Sequence, residues 1–185
     1  MMPEISLNIL DVAQNSVTAG ASLVTVSVTA ESERDLMTVS ISDNGRGMTE
    51  EQVRHVTDPF FTTRTTRKVG LGVPFFKMAA ELAGGDFSIE STPGVGTTTR
   101  ASFRIGHIDR MPLGDIAGTM SSLVGPSPEI DFVLRVEMDG ETFVMDTREF
   151  RAVLGEGVSL SEPEVLSYLE EYVRDGMAQI GADRL

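Results

Sequence analysis

Asp11 and Asn15 stand four residues apart in SLNILDVAQNSVTAG, a stretch with a helical apolar pattern, so both side chains leave one helix face toward one cleft. A second short stretch, DNGRGM at 43–48, ends an alternating apolar run with Asp43 and then places Gly45 and Gly47 close together. Taken alone it reads as a turn, because Asp, Asn and Gly supply the positive φ angles that tight turns need. A third stretch, GLG at 70–72, opens a helix, where free backbone N–H groups suit a phosphate. Alone it is a helix-entry turn. Arg64, Arg67 and Lys68 precede it and bring positive charge that suits a polyphosphate. A fourth, TPGVGTT at 92–98, is a turn that delivers Thr97 and Thr98 to a following strand.

The elements that must position these residues are legible from periodicity. Leu7, Leu10, Val12, Ala13 and Val17 give the first helix its apolar face, with Ser6 as expected N-cap and Gly20 as stop. LVTVSVTA and MTVSIS alternate and predict two strands joined by ESERD. TEEQVRHV predicts a short helix capped by Thr49, with Glu50 and Glu51 in the first turn. VPFFKMAAELAG predicts a second long helix, and FSIES and TTTRASFRI two more strands. Pro59, Phe60 and Phe61 read as hinge and packing residues, Lys77 as solvated, and His55 as a surface residue.

Beyond Gly106 the pattern changes. A short helix is expected in IDRMPLGDIAGTMSSLVG. EIDFVLRVEMDGETFVMD predicts a hairpin turning at Asp139-Gly140. Asp146 is expected to cap a helix over TREFRAVL, and Ser161 with Glu164 to open another as a capping box. Residues 1–106 hold 12 acids and 9 bases, whereas 107–185 hold 16 acids and 6 bases. The shift marks an expected boundary: a first domain over 1–106 and an acidic α+β extension over 107–185.

Bulk properties narrow the function. A net charge of −13 argues against general binding to nucleic acid. The absence of cysteine excludes disulfides and thiolate metal sites, and two histidines cannot form a His-rich cluster. No apolar run nears the roughly 18–20 residues that span a bilayer. The N-terminus carries no signal-peptide pattern. The expectation is a soluble cytoplasmic protein that meets neither membrane nor nucleic acid.

DVAQN at 11–15, DNGRGM at 43–48, DPFF at 58–61, and VGLGV followed by TPGVGTT at 69–98 occur in a fixed order. In that order the chain resembles the GHKL ATPases: gyrase-type topoisomerases, the ninety-kilodalton heat-shock chaperone, histidine kinases and MutL-type repair proteins. NSVTAGAS is similar to the MutL-like first motif, and GLGVPFFKMAAELAGGDFSIESTPGVGTTTRASF to the catalytic domain of histidine kinases. The resemblance covers about residues 5–105. It implies an α+β two-layer sandwich of the Bergerat type, with a mixed, mostly antiparallel sheet covered by helices on one face.

The resemblance also implies ATP and Mg²⁺ as ligands. It makes Asn15 a Mg²⁺ ligand and puts Asp11 where the family usually carries Glu as its general base. Asp11 keeps the carboxylate but has one methylene less reach. The resemblance assigns Asp43 to the exocyclic amine of adenine, a donor that guanine lacks at that position. Gly45 and Gly47 then let the backbone fold beside the base, and Thr97, with Thr98 as the alternate, supports the same edge. Residues 60–72 resemble the ATP lid, with Arg64, Arg67, Lys68, Gly70, Leu71 and Gly72 near the phosphates.

Only about ten residues precede the first motif, and neither His55 nor His107 has a phosphoacceptor context. The leading expectation is therefore an ATP-dependent kinase whose acceptor lies on another chain. The alternative is an ATP-gated binder, an anti-sigma-like switch with little turnover. A MutL-like or chaperone-like clamp would need dimerising arms that the sequence does not display. The oligomeric state stays open, a homodimer included.

Overall fold

The computed structural model describes residues 2–57 and 71–185. Alternating strands build a single mixed sheet. β1 (Leu23–Glu31) pairs antiparallel with β2 (Leu36–Asp43). β4 (Gly96–Arg104) lies antiparallel on β2 and carries β3 (Phe87–Thr92) at the edge. On the other side β5 (Asp131–Met138) runs parallel to β1, and β6 (Glu141–Asp146) returns antiparallel. The order is β3-β4-β2-β1-β5-β6.

Register puts the apolar phase of every strand on one face. Ile89, Thr99, Ile41, Val26, Leu134 and Met145 form one row across all six strands. The described helices cover that face. α1 (Ile5–Thr18) packs on β1 and β2, and α3 (Gly72–Leu82) on β3 and β4. α4 (Ile116–Val124) lies against α1, and α6 (Pro163–Gln179) against α4 and β6. α2 (Glu50–Val56) rests on β3, and α5 (Thr147–Leu154) on β5. The chain is an α+β two-layer sandwich with a mixed, mostly antiparallel sheet. The opposite sheet face is rich in Ser and Thr, with Thr25, Ser27, Thr38 and Ser40 half-buried.

Residues 107–185 contribute α4, β5, β6, α5 and α6, and the sheet runs on through them. β5 matches β1 from Leu23 opposite Asp131 to Ala30 opposite Met138. One buried cluster contains Ile9, Val39 and Phe103 together with Met120, Phe132 and Leu169. The expected turn at Asp139-Gly140 is present, with φ of 50° and 91°. The Asp139 carboxylate accepts from the N–H and hydroxyl of Ser32 at 2.7 and 2.8 Å, tying that hairpin to the β1–β2 connection. Those two bonds hold the Asp139 carboxyl below the usual carboxylate range.

Two expected caps are corrected. Ser6 does not cap α1; it lies inside the helix, buried, and its hydroxyl has no hydrogen-bond partner among the described residues. Glu4 is the N-cap residue, and the first helical N–H groups are satisfied by backbone. Ile5 donates to the Pro112 carbonyl and Ser6 to that of Leu113, at 3.0 and 2.8 Å. A tertiary contact replaces the side-chain cap. Ser161 likewise lies outside α6, which starts at Pro163 after Glu162 because proline is pre-shaped for the first helical position. Asp146 and Thr49 cap their helices as expected, Thr49 in a reciprocal box with Gln52.

Candidate nucleotide-binding cleft

Along β2 the core-facing phase reads Met37, Val39, Ile41 and then Asp43. The apolar layer between sheet and helices thus ends on a carboxylate. A cleft of about 280 Å³ opens there. Its apolar walls are Val12 from α1, Ala19 just after it, Met48 ahead of α2, Val56 from α2, Val73 from α3 and Ile89 from β3. Its polar groups are Asn15, Ser16 and Thr18 from α1, Asp43 from β2, Arg46 from the following loop, and Thr97 and Thr99 from β4.

Asp43 is held from two sides. The Ser16 hydroxyl donates to its Oδ2 at 2.6 Å, and the Gly45 backbone N–H donates to its Oδ1 at 2.8 Å. An ionised carboxylate offers about four acceptor sites, so lone pairs remain for a ligand donor. Thr97 is the direct β-bridge partner of Asp43, and its hydroxyl pairs with that of Ser91 at 2.8 Å. Thr98 points to the other sheet face, where it pairs with Ser42 at 2.6 Å. Strand parity therefore puts Thr97, and not Thr98, in the cleft.

The loop after Asp43 is pinned by backbone bonds. Arg46 N–H donates to the Ala19 carbonyl, and Gly94 N–H to the Arg46 carbonyl at 2.7 Å. Met48 N–H donates to the Ser91 hydroxyl. Gly47 sits at φ 66°, and a Cβ there would lie 2.0 Å from the Thr92 carbonyl oxygen. Gly96 sits at φ 143°, with its missing Cβ 1.9 Å from the Asp43 carbonyl oxygen. Both positions need glycine for conformation and for space. Asn44 stitches the loop to β1, its Oδ1 accepting from the N–H groups of Ser22 and Leu23.

Asn15, Asp43, Gly47 and Thr97 thus come together around one cleft. Gly45 shapes it from behind, packed against Ala19. Asp11, Leu71 and Gly72 do not line it. Asp11 lies one helical turn before Asn15 and packs against Gly72, where a Cβ would sit 2.7 Å from that of Asp11. Leu71 is half exposed, just ahead of α3. Arg64, Arg67, Lys68 and Gly70, together with Pro59, Phe60 and Phe61, lie outside the described residues. Lys77 pairs loosely with Glu81 at 3.9 Å, in keeping with a solvated side chain. His55, expected at the surface, is half-buried.

Ser16, Arg46 and Thr99 escaped the sequence reading. Ser16 follows Asn15 directly, but nothing local announces a partner 27 residues away. Thr99 shares the phase of Thr97 along β4, a signal that was available.

The donor set suits a hard cation held mostly by non-protein oxygens. Asn15 is exposed, and its side-chain amide has no hydrogen-bond partner among the described residues. Among these residues no three acidic or histidine side chains gather into a cage. Mg²⁺ commonly takes one or two protein oxygens and completes its shell with water and phosphate. Burial pushes the Asp11 carboxyl above its usual value of 3.8. Ionised Asp11 therefore costs stability at neutral pH, and protonation restores it as pH falls through the raised value toward 3.8. Asp11→Asn is expected to raise Tm at pH 7, with the gain fading as pH falls toward 3.8. Calorimetric melting across pH checks this, and a lower Tm at pH 7 would contradict it.

A family model described as "Histidine kinase-, DNA gyrase B-, and HSP90-like ATPase" matches residues 3–107. The chain belongs to this ATPase family. Among curated relatives, "Virulence sensor protein BvgS" of Bordetella bronchiseptica is 24% identical over 163 residues, covering 85% of this chain and 13% of that protein. "Sensor histidine kinase ZraS" of Klebsiella oxytoca is 40% identical over 58 residues, 31% of this chain and 12% of that one. The chain thus spans about an eighth of the length of these relatives. Among solved structures, the Aquifex aeolicus MutL ATPase domain complexed with ADP superposes with a TM-score of 0.51 at 12% identity, covering 94% of this chain and 70% of that one. At that identity the likeness establishes the ATPase-family fold alone. No described helix of this family member is long and apolar enough to cross a membrane.

Proposed function

We propose that the cleft binds ATP with Mg²⁺ and that the chain passes the γ-phosphate to a protein acceptor on another chain. The observation that carries the reading is Asp43, a half-buried carboxylate at the end of an apolar cleft, oriented by Ser16 and Gly45 with acceptor sites to spare. It accepts from the exocyclic amine of adenine while Val12, Val56, Val73 and Ile89 contact the ring. Thr97 supports the same edge through water. Asn15 holds the cation through its amide oxygen. The cation, when bound, spreads the charge of the phosphates.

Asp11, next to Gly72 at the start of α3, takes the proton of the acceptor group, and its raised affinity for a proton suits a base. The cations Arg64, Arg67 and Lys68, with the N–H groups of Gly70, Leu71 and Gly72, serve the phosphates. Membership in the ATPase family and the sensor-kinase relatives support this assignment.

A second reading is favoured by Asp11 itself, whose side chain is one methylene shorter than the family's Glu. In that reading ATP binds, turnover is slow, and the nucleotide state sets affinity for a partner. Purified protein, Mg²⁺ and γ-labelled ATP, incubated with the products of adjacent genes, separate the two. Label on an acceptor supports the kinase. Tight ATP-dependent association with no label supports the switch, and neither outcome with any of them overturns both. Asp11→Ala is expected to spare ATP binding and to reduce transfer; normal transfer would remove Asp11 from the mechanism.

A further inference from the structure

We propose that the groove between α5 and α6 is a docking site for a basic amphipathic helix of a partner protein. The nucleotide cleft is built by other elements, so this inference stands apart from the function of Asp43.

The groove is apolar and unpartnered. Of the eight residues of α5, only Thr147 is buried. Phe150, Val153 and Leu154 of α5 face Val165, Tyr168 and Tyr172 of α6 across a concavity of about 410 Å³. Val153 is 87% exposed and Tyr168 60% exposed. The rings form a continuous ladder, with Phe150 6.0 Å from Tyr168 and 5.4 Å from Tyr172. Phe143 on β6 extends it, 5.4 Å from Tyr172. A second concavity, about 360 Å³, lies beyond the two tyrosines against Phe143 and Gly176. Exposed apolar surface rimmed by polar residues is the kind that receives a partner.

Charge identifies the occupant. Glu149 and Glu164 rim the first concavity, and Glu171 and Asp175 the second. Arg148 is paired with Asp146, and Arg174 with Glu170. Arg151 is held by Asp131 and by the carbonyls of Pro128 and Ile130. Every arginine of the two helices is therefore engaged, while none of the four rim carboxylates has an ion pair among the described residues. The missing cations must come with the ligand. A second copy brings the same acidic surface, and nucleic acid or an anionic membrane brings more negative charge; all are repelled. The walls of the first concavity are helices whose backbone groups are paired internally, so recognition runs through side chains, as when an amphipathic helix lies in a groove.

The protein carries its own reporter. Tyr168 and Tyr172 are its two tyrosines, and it has no tryptophan. Tyrosine emission of the full chain therefore reports this groove. The probe is a synthetic peptide of about 18 residues, five helical turns, made of Leu and Lys in helical period. Two controls replace every Lys by Glu, or every Leu by Ser. The Leu/Lys peptide is expected to change the emission saturably. Both control peptides are expected to bind the protein at least about tenfold more weakly than the Leu/Lys peptide does, and the variants Val153→Glu and Glu149→Lys/Glu164→Lys to bind the Leu/Lys peptide weaker by the same factor, the scale of one lost contact. Val153 is too exposed for its replacement to unfold the chain, and circular dichroism verifies that. No saturable change, equal binding of the Glu peptide, or unaltered binding by Val153→Glu would overturn the proposal. So would self-association in sedimentation that Val153→Glu abolishes, or stronger binding to phosphatidylglycerol vesicles than to the peptide.

Discussion

Asp43→Asn is expected to weaken ATP binding by about 1.5–3 kcal/mol, the range for a lost hydrogen bond to a charged group, or roughly 10- to 150-fold in Kd. The carboxylate receives the Ser16 hydroxyl on one oxygen and the Gly45 N–H on the other. In the variant the oxygen stays with Gly45 and the new amide nitrogen takes the place of Oδ2. That nitrogen meets the Ser16 hydroxyl, which turns to accept from it, and it offers the ligand's amine a donor where the amine needs an acceptor. Shape and volume barely change, so the fold is spared and the loss belongs to the contact. Isothermal calorimetry on both proteins measures it. Unchanged affinity would remove Asp43 from nucleotide recognition.

Phe132→Ala is expected to cost about 3–5 kcal/mol of stability, the usual range for emptying a buried aromatic site. At roughly 2–4 °C per kcal/mol for a domain of this size, Tm falls by about 6–20 °C. Phe132 is fully buried on β5, opposite Val24 of β1, within the cluster that also contains Val39 and Phe103. Melting followed by tyrosine emission sees only α6, whereas circular dichroism sees the whole chain. The two are expected to coincide before and after the substitution. Two separated transitions, with Phe132→Ala moving only the one seen by tyrosine, would show that residues 107–185 fold apart from the first 106.

The local order of the fold was legible because its signals are local. Alternation in LVTVSVTA and MTVSIS predicted β1 and β2, and Asp139-Gly140 predicted the hairpin turn through its need for positive φ. The same alternation, carried one step past Ile41, puts Asp43 on the core face, and strand parity separates Thr97 from Thr98. What failed depends on distant partners. Ser6 looked like a cap because no sequence pattern reveals that the 112–113 backbone satisfies the start of α1. Ser161 with Glu164 matches a capping box, but Pro163 takes the first helical position and moves the start of α6 past Ser161. The parallel pairing of β1 with β5 joins residues about a hundred positions apart, and no periodicity encodes it. Ser16 was missed for the same reason, since its role exists only where α1 crosses the end of β2.

The proposed nucleotide specificity stands on a carboxylate that reads an amino group. Calorimetric titration of the unaltered protein with ATP and with inosine triphosphate, each with Mg²⁺, tests this most directly. The two ligands differ only on one edge of the purine, where adenine's amine becomes a carbonyl that would face Asp43 acceptor to acceptor and the neighbouring N1 gains a proton. The expected result is saturable ATP binding, with inosine triphosphate at least about a hundredfold weaker, as for a site built around one polar contact. Equal affinity for the two, or no binding of either, would contradict it.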